Sequence, residues 1–339
     1  MKYYYRPIAQ SDAARPATAR SLAGGVLWFT QAERLHRTGS DGLVPISEIP
    51  ERDLHRITKK RAPIAGVSVT GPRLMGILNV TPDSFSDGGL FATEDKALQQ
   101  ARALVSDGAD ILDIGGESTR PGAEFVNSAE EINRTRPIIA AVAKAITAPI
   151  SIDTRKAEVA REALDAGAGI VNDISAMSFD PDMLPVVARA GVPVCLVHAQ
   201  GDPKTMQDNP SYTDVLLDVY DYLDRRIDVA EAAGIARGTI VIDPGIGFGK
   251  TMDHNLTLLK NISLFHGLGC SILLGASRKR FIGVLGDEPD PQRRFPGSVA
   301  VAMAAISQGV QIIRVHDMKE TKQALSLWQA VTGTGTSAV

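Results

Sequence analysis

Short apolar segments alternate with longer amphipathic stretches from about residue 74 onward, and this alternation limits the chain to a few folds. Apolar runs of this length are typical of buried parallel strands, and amphipathic stretches between them are typical of connecting helices. The candidate strands are residues 74–79, 110–115, 149–153, 169–173, 193–198, 239–243, 271–275 and 311–316. Eight such strands in about 260 residues predict an α/β fold, the (β/α)8 or TIM barrel.

The stretches between the strands carry the signals of helices. One predicted helix, 93–106, opens with a Thr-Glu-Asp cap, and another, 156–166, stops at Gly167. The other predicted helices are 129–146, 180–190, 212–233, 253–267, 297–308 and 318–331. A helix therefore follows every candidate strand, as the barrel requires.

The first 70 residues do not follow this alternation. SLAGGVLWFTQAERLHR predicts one or two strands and ISEIPERDLHRIT predicts a short helix. We therefore divide the chain into an N-terminal extension (1–70), the barrel (71–332) and a flexible tail (333–339). The extension is expected to be a structural element packed on the barrel, and the alternative is a segment that binds a partner.

Composition narrows the possible partners and the compartment. The 339 residues include 44% hydrophobic ones, and the net charge of -3 comes from nearly balanced acids and bases. Neither nucleic acid nor a membrane surface is therefore expected as a partner. Cys195 and Cys270 lie in apolar runs, which favours buried reduced thiols. With no apolar run of about 18 residues and no N-terminal apolar signal segment, we expect a cytoplasmic protein.

A polar residue stands at or just after the end of every candidate strand. The C-terminal ends of barrel strands form one face, and barrel enzymes have their active sites there. A single Asp or Asn at such a place can simply cap a helix, but eight strand ends converging on one rim favour an active site. The residues are Asn79, Asp113, Glu117, Asp153, Asn172, Asp173, His198, Asp243, Ser277 to Lys279, Arg314 and His316.

These residues separate into two chemical sets. Asp153, Asn172 and Asp243 offer acceptors and an amide, which suits a planar nitrogen heterocycle with several N–H donors, and Lys279 suits its carbonyl or ring nitrogen. The second set consists of neutral and cationic donors and suits a phosphate or diphosphate. It comprises Asn79, Thr119, Arg120, Arg314 and His316.

A divalent ion is expected together with a diphosphate. Mg2+ is commonly held by one or two protein oxygens plus substrate phosphates, and Asn79 is the candidate ligand. No His/Cys cluster or HExxH pattern predicts a zinc site.

Two features of the sequence suggest functions that we do not assign. The segment 242–251, IDPGIGFGKT, resembles a phosphate-binding Walker A loop, but Pro244 occupies the place of the first glycine. We interpret it as a turn that lets the backbone pass close to a ligand beside Asp243. His198 is expected to be a hydrogen-bonded core or rim residue and not a catalytic base.

In order along the chain, these segments resemble the dihydropteroate synthases, a family of pterin-binding barrels. The resemblance covers residues 74–331. It is carried by GILNVTPDSFSDGG, ADILDIGGESTRPGA, SIDT, IVNDISA, HAQGDPKTMQ, IDPGIGFGKT, GASRKRFIG and IIRVHDMKET. It implies that (7,8-dihydropterin-6-yl)methyl diphosphate and 4-aminobenzoate are joined, in folate biosynthesis, to 7,8-dihydropteroate and diphosphate. A homodimer and inhibition by sulfonamides are also implied.

The resemblance assigns roles to individual residues. It implies that the first set binds the pterin and the second set binds the diphosphate and Mg2+. Phe85 and Pro121 would line the aminobenzoate pocket, and Asp87 and Lys279 would be catalytic. Arg280 stands where some members have a serine near the aminobenzoate carboxylate, and it either pairs with that carboxylate or points to solvent.

An SN1-like step is expected, because diphosphate is a good leaving group and the pterin can delocalise a cation that Asp87 stabilises. Residues 82–90 would close as a lid together with the loop at 119–122. Because Arg314 is assigned to ligand, its replacement by Ala is expected to leave the fold largely intact. The rival readings are a methyltransferase acting on methyltetrahydrofolate and a non-catalytic paralogue.

Overall fold

The computed structural model describes residues 1–80, 90–118, 124–201 and 204–334, without the side chains of 90–93. The N-terminal extension contains more strands than the sequence predicted. It consists of β1 (Tyr4–Pro7), β2 (Arg20–Ser21), β3 (Trp28–Phe29), β4 (Gln31–His36), β5 (Gly39–Pro45) and α1 (Glu51–Thr58). Strands β1, β4 and β5 form one antiparallel sheet, and β2 pairs with β3.

The barrel predicted from the alternating pattern is present, with eight parallel strands closed into a ring among the described residues. Its strands are β6 (Arg73–Asn79), β7 (Ile111–Gly115), β8 (Ile150–Asp153), β9 (Ile170–Asp173), β10 (Val194–Val197), β11 (Ile240–Asp243), β12 (Ser271–Leu274) and β13 (Ile312–Val315). The ring closes where β13 pairs with β6. The fold class is therefore confirmed, and every predicted strand is found within a residue or two.

Helices surround this ring. They are α2 (Leu90–Ser106), α3 (Ser128–Ala145), α4 (Ala157–Asp165), α5 (Met183–Ala190), α6 (Val215–Ala232), α7 (Met252–Lys260), α8 (Arg280–Leu285), α9 (Phe295–Ile306) and α10 (Met318–Thr332). Side-chain caps fix several starts: Asn127 accepts from the Glu130 N–H at 2.9 Å, and Asp214 accepts from the Leu217 N–H at 3.1 Å. No helix within the described ranges combines the length and the apolar character needed to cross a bilayer.

Two helix predictions needed correction, and one helix was missed. Residue 93 lies inside α2 and is not its cap. The helix predicted over 253–267 is two elements, because Asn261 leaves the helical dihedrals and a 3-10 segment, Ile262–Leu268, follows. Helix α8 was missed, since its six residues are too few to give an apolar period.

A plug of apolar residues fills the barrel near the start of its strands. Ile64 and Val69, from the segment before β6, belong to this buried cluster. The strand residues in the cluster include Met75, Ile111, Ile170, Cys195, Val241, Leu273 and Ile312. The segment before β6 therefore closes the N-terminal end of the barrel, and a ligand site is left to the opposite end.

The extension contacts the outside of the barrel through specific polar bonds. The Ser263 hydroxyl donates to the Pro7 carbonyl at 2.9 Å. The buried Arg61 guanidinium donates to the carbonyls of Arg56 at 2.9 Å and of His266 at 3.1 Å. Farther along the barrel wall, the Tyr4 ring meets the Tyr220 ring of α6 edge-on at 5.3 Å. These contacts join the first 70 residues to α6 and to the 262–268 segment.

His266 makes stability depend on pH. Its side chain is buried and its Nε2–H donates to the Gln308 carbonyl at 3.1 Å. Burial, helped by the nearby Arg61 charge, lowers the His266 pKa to about 3. An unfolded histidine titrates near 6.5. Below that pH the unfolded chain binds a proton that the folded chain does not, so this residue makes the free energy of unfolding fall between pH about 6.5 and about 3.

We therefore expect His266→Gln to flatten the pH dependence of stability. The slope of the unfolding free energy against pH should decrease by up to about 1.4 kcal/mol per pH unit between pH 4 and 6.5. Urea unfolding at several pH values measures it, with exposed His55→Gln as the matched control. Equal slopes for His266→Gln and the wild type would contradict the assignment.

Candidate active site

Arg314 crosses the mouth of the barrel and joins two strand ends. Its Nε donates to Asp113 Oδ2 at 2.5 Å, and its Nη2 donates to Asp153 Oδ2 at 2.8 Å. The Asn172 amide donates to the same Asp113 oxygen at 3.3 Å. Asp113 is fully buried, whereas one-fifth of the Arg314 side chain is exposed. The sequence put Arg314 and Asp153 in different sets, and the structure brings them into one cluster.

Asp153 is electrostatically unusual within this cluster. Burial raises its pKa to about 7, and the neighbouring Arg314 opposes that rise. Its Oδ2 is paired with the Arg314 Nη2 at 2.8 Å, and 15% of its side chain is exposed. A carboxylate in this setting accepts hydrogen bonds, so a polar heterocycle with N–H donors matches it.

Asp243 and Lys279 form a second oppositely charged pair of groups. Asp243 is buried and its Oδ1 accepts from the Gly245 N–H at 2.7 Å. The Lys279 ammonium donates to the Ile246 carbonyl and lies 4.1 Å from the centre of the Phe248 ring. Burial lowers the Lys279 pKa to about 8, and the Asp243 charge opposes that shift. Burial likewise raises the Asp243 pKa, with Lys279 opposing.

The glycines of the 244–250 loop allow two strand-end loops to touch through their backbones. Gly245 has φ +69°, and a Cβ there would stand 1.8 Å from the His198 carbonyl oxygen. Gly249 has φ +63°, and its Cβ would stand 2.4 Å from the Gln200 carbonyl oxygen. The sequence predicted that this turn approaches a ligand, but at these two glycines the close approach is to protein backbone.

Lys250 is a site residue that the sequence analysis missed. It is buried, its Nζ lies 2.8 Å from His198 Nδ1, and it donates to the Phe248 carbonyl at 2.9 Å. Burial lowers the pKa of Lys250 and, with the Lys250 charge, that of His198. Both groups tie the loop after β11 to the end of β10. His198 is thus a buried, hydrogen-bonded residue, in line with its preferred interpretation.

Other strand-end residues form hydrogen bonds and ion pairs that stabilise the local structure. Asp173 accepts from the N–H groups of Ser175 at 2.7 Å and Met177 at 2.9 Å, so it fixes its own turn. Glu117 pairs at 2.8 Å with buried Lys156, which also reaches Glu131 at 2.5 Å. That ionic network ties the loop after β7 to α3 and α4.

The remaining predicted residues lie on the rim. Asn79 is the half-buried last residue of β6. His316 Nδ1 lies 3.0 Å from the Ser277 hydroxyl. Arg280 is exposed as the first residue of α8, directly after Lys279. Five other predicted residues lie outside the described residues, together with the predicted lid: Phe85, Asp87, Thr119, Arg120 and Pro121.

The described part of the barrel mouth places negative and positive side chains close together. Asp113, Asp153 and Asp243 supply acceptors, and Arg314 and Lys279 supply donors. Among the described residues, no three His, Cys, Asp or Glu side chains are grouped to hold a metal by themselves. The arrangement is suited to binding a flat polar heterocycle and to stabilising negative charge beside it.

Comparison with known families agrees with this chemistry. The family described as "Pterin binding enzyme" matches residues 75–316. A protein of Synechocystis sp. named dihydropteroate synthase is 47% identical over 260 residues, which cover 76% of this chain and 90% of that protein. The match to the family begins inside β6, so the extension lies outside it.

Solved structures lead to the same family. The Yersinia pestis dihydropteroate synthase in a sulfonamide drug complex has a TM-score of 0.75 at 46% identity, covering 79% of this chain and 96% of that one. The Xanthomonas albilineans dihydropteroate synthase with 4-aminobenzoic acid has a TM-score of 0.75 at 45% identity, covering 80% and 97%. The chain therefore belongs to the pterin-binding enzymes and, among them, to the dihydropteroate synthases, which are transferases.

Proposed function

We propose that the mouth of this barrel binds both substrates of its family's reaction and that each charged group there has a defined role. The reaction joins (7,8-dihydropterin-6-yl)methyl diphosphate to 4-aminobenzoate. The methylene C–O bond breaks, a C–N bond forms, and the arylamine loses a proton, giving 7,8-dihydropteroate and diphosphate. The observation that carries the proposal is the cluster in which Arg314 joins Asp113 and Asp153 beside Asp243 and Lys279.

The pterin is proposed to lie against Asp153, Asn172, Asp243 and Lys279. The carboxylates would accept from its N–H groups, and Lys279 would donate to its carbonyl or ring nitrogen. Burial supports this role, because a hydrogen bond to a desolvated charged group is stronger than one in water. Burial raises the Asp153 pKa, and a ligand N–H that donates to Asp153 would stabilise its charged form.

The diphosphate is proposed to lie on the rim, against Asn79, Thr119, Arg120, Arg314 and His316. Arg314 uses Nε and Nη2 for its two carboxylates. Its guanidinium carries further N–H donors that the two carboxylate bonds do not use, and these suit a phosphate oxygen. Arg314 would then fix the position of the departing diphosphate relative to Asp153, which is proposed to bind the pterin.

Mg2+ is proposed to bind with the diphosphate. Asn79, at the end of β6, offers a neutral oxygen, which fits a cation held mainly by substrate phosphates and water. When bound, Mg2+ would reduce the negative charge of the departing diphosphate. The protein itself would reduce this negative charge through the cationic side chains of the rim, which include Arg314.

The aminobenzoate is proposed to bind near Phe85, Pro121 and Arg280, with Asp87 stabilising the pterin methylene cation of an SN1-like step. Arg280 is exposed and follows Lys279 directly, so its guanidinium is available to pair with a carboxylate at the mouth. Sulfonamides would compete for the same pocket, as the complex of the Yersinia pestis relative suggests. Transfer of a methyl group to a corrinoid, the nearest rival, has no use for a cationic rim.

A homodimer is proposed to form through the outer helices α8 and α9. Val284 and Leu285 of α8 are 59% and 58% exposed, and Phe295 at the start of α9 is 42% exposed. Exposed apolar side chains on neighbouring helices are typical of an interface between copies.

The chain is proposed to divide into the extension (1–70), the barrel (71–332) and a tail (333–339). The contacts of the extension with α6 and with the 262–268 segment support its structural role. A cytoplasmic location stays a prediction.

The function is tested by measuring diphosphate release. We expect release only when the pterin diphosphate, 4-aminobenzoate and Mg2+ are all present, and Arg280→Ala should raise the KM for aminobenzoate about threefold to tenfold. The KM for the pterin diphosphate should not change, and Arg293→Ala, at another exposed arginine, is the control. No release from folded protein would reject the function, and an unchanged aminobenzoate KM would leave Arg280 pointing to solvent.

Arg314→Met should stop turnover and should also destabilise the fold. The sequence analysis, in contrast, expected replacement of Arg314 to leave the fold largely intact. The variant leaves the carboxylates of Asp113 and Asp153 without their cation, which should cost about 2–3 kcal/mol of unfolding free energy. The double variant Arg314→Met with Asp113→Asn removes one of those charges and should recover part of the loss. Urea unfolding measures both, and unchanged stability of the single variant would refute a structural contribution.

The proposed dimer should dissociate when a charge enters the α8 surface. Leu285→Glu is expected to convert the protein to monomers in sedimentation velocity, because a buried carboxylate at an apolar interface is costly. Val229→Glu, on exposed apolar surface of α6, is the matched control and should stay dimeric. A monomeric wild type would contradict the proposal directly.

A further inference from the structure

The hairpin formed by β4 and β5 extends along the barrel wall as far as the start of α6. At its tip, the Arg37 guanidinium donates to both Asp218 and Asp221. Helix α6 begins at Val215, so Asp218 lies in its first turn. Because the helices of a (β/α)8 barrel begin on the face where the active site lies, the tip of the extension reaches the site's side of the molecule.

Asp218 makes a second set of bonds, to the segment that leads into α6. Its Oδ2 accepts from the Thr213 N–H at 3.0 Å and from the Asp214 N–H at 3.1 Å, while its Oδ1 takes the bond from Arg37. One carboxylate therefore joins the extension to the last residues of the 204–214 segment. Asp221, one turn farther along the helix, bonds to Lys2 and Tyr4 of the extension in addition to Arg37.

The 204–214 segment in turn holds the loop beside the proposed pterin site. The Tyr212 hydroxyl donates to the Gly249 carbonyl at 2.7 Å. The Gln207 amide donates to the Gly247 carbonyl at 2.6 Å. That loop also supplies the Ile246 carbonyl and the Phe248 ring that contact the Lys279 ammonium. A continuous series of bonds thus runs from Arg37 to the surroundings of Lys279.

The charges of Asp218 and Asp221 explain why Arg37 is important for this series of hydrogen bonds. Asp218 and Asp221 are three residues apart on one helix face, where like charges repel. Arg37 lies against both carboxylates, and its single positive charge reduces the repulsion between them. Asp221 keeps Lys2 and Tyr4 when Arg37 is removed, whereas the Asp218 carboxylate then faces a neighbouring negative charge. The carboxylate is expected to turn toward water and to weaken its bonds to the Thr213 and Asp214 N–H groups.

We propose that Arg37 is a positioning residue, through which the N-terminal extension fixes the 204–214 segment and, by that segment, the 244–250 loop beside Lys279. The proposal rests on the proposed function only where it assigns that loop to the pterin side of the site. The contact between the extension and the segment stands on the geometry alone. The extension therefore contributes to the site indirectly, through Asp218 and the 204–214 segment.

The test uses the full chain and compares Arg37→Ala with Asp221→Ala. In Arg37→Ala, amide hydrogen exchange in 204–214 should become about twofold to fivefold faster, the range expected for loss of a half-exposed ion pair. The KM for the pterin diphosphate should rise by a similar factor while the KM for 4-aminobenzoate stays the same. Arg37→Lys keeps a cation at the tip and should restore most of both values.

Asp221→Ala is the matched control, because it removes bonds from Lys2, Tyr4 and Arg37 without touching the 204–214 segment. It should lower the free energy of unfolding but leave exchange in 204–214 and the pterin KM unchanged. Unchanged exchange in Arg37→Ala, or equal effects of both variants, would overturn the proposal. A wild type without synthase activity would reject the proposed function, while the exchange measurement would still decide whether Arg37 holds the segment.

Discussion

The ion pairs of Arg314 are the interaction on which the mouth of the barrel depends. Its strand, β13, is separated from β7 by β6, so the side chain reaches across the neighbouring strand to Asp113 and on to Asp153 of β8. An eight-stranded barrel is only wide enough for its side chains to fill it. A carboxylate there loses most of its hydration, and without a cation its burial would be costly. Arg314 therefore makes the acidic strand ends compatible with a folded barrel.

Burial brings the pKa values of the acids and of the bases at the mouth closer together. The pKa of Asp153 is raised to about 7 and that of Lys279 is lowered to about 8, each chiefly by desolvation. Perturbed pKa values of this kind are common at functional sites, because burial and charge partners are arranged there around a ligand.

The sequence was sufficient for the barrel and for locating polar residues at its strand ends, because both are encoded locally. Apolar runs mark the strands, and a polar residue such as Asn79 or Asp243 at a strand end marks the active face. Contacts between distant parts of the chain were not predictable in the same way. Lys250 meets His198 from 52 residues away, and Gly245 is required by a carbonyl in another loop. The sequence of the segment IDPGIGFGKT does not reveal that Lys250 contacts His198 or that Gly245 contacts a backbone carbonyl of another loop.

The charge sets were also only partly predictable. Residue types separated acceptors from donors, but Arg314 pairs in the folded chain with Asp113 and with Asp153, which belongs to the other set. Its effect on stability follows from burial of Asp113, which no sequence pattern states. Helix α8 escaped prediction for a different reason, since six residues contain less than two turns.

The small core of the extension has a consequence for the order in which the protein is made. Phe29, Val44 and Ile57 pack in that core, and Trp328 of the last helix packs against it. Lys2 finds its partner Asp221 a further 219 residues along the chain. During synthesis, the extension leaves the ribosome well before Trp328 does, so part of its apolar surface stays uncovered until α10 has been made. Until then that surface is open to non-native contacts.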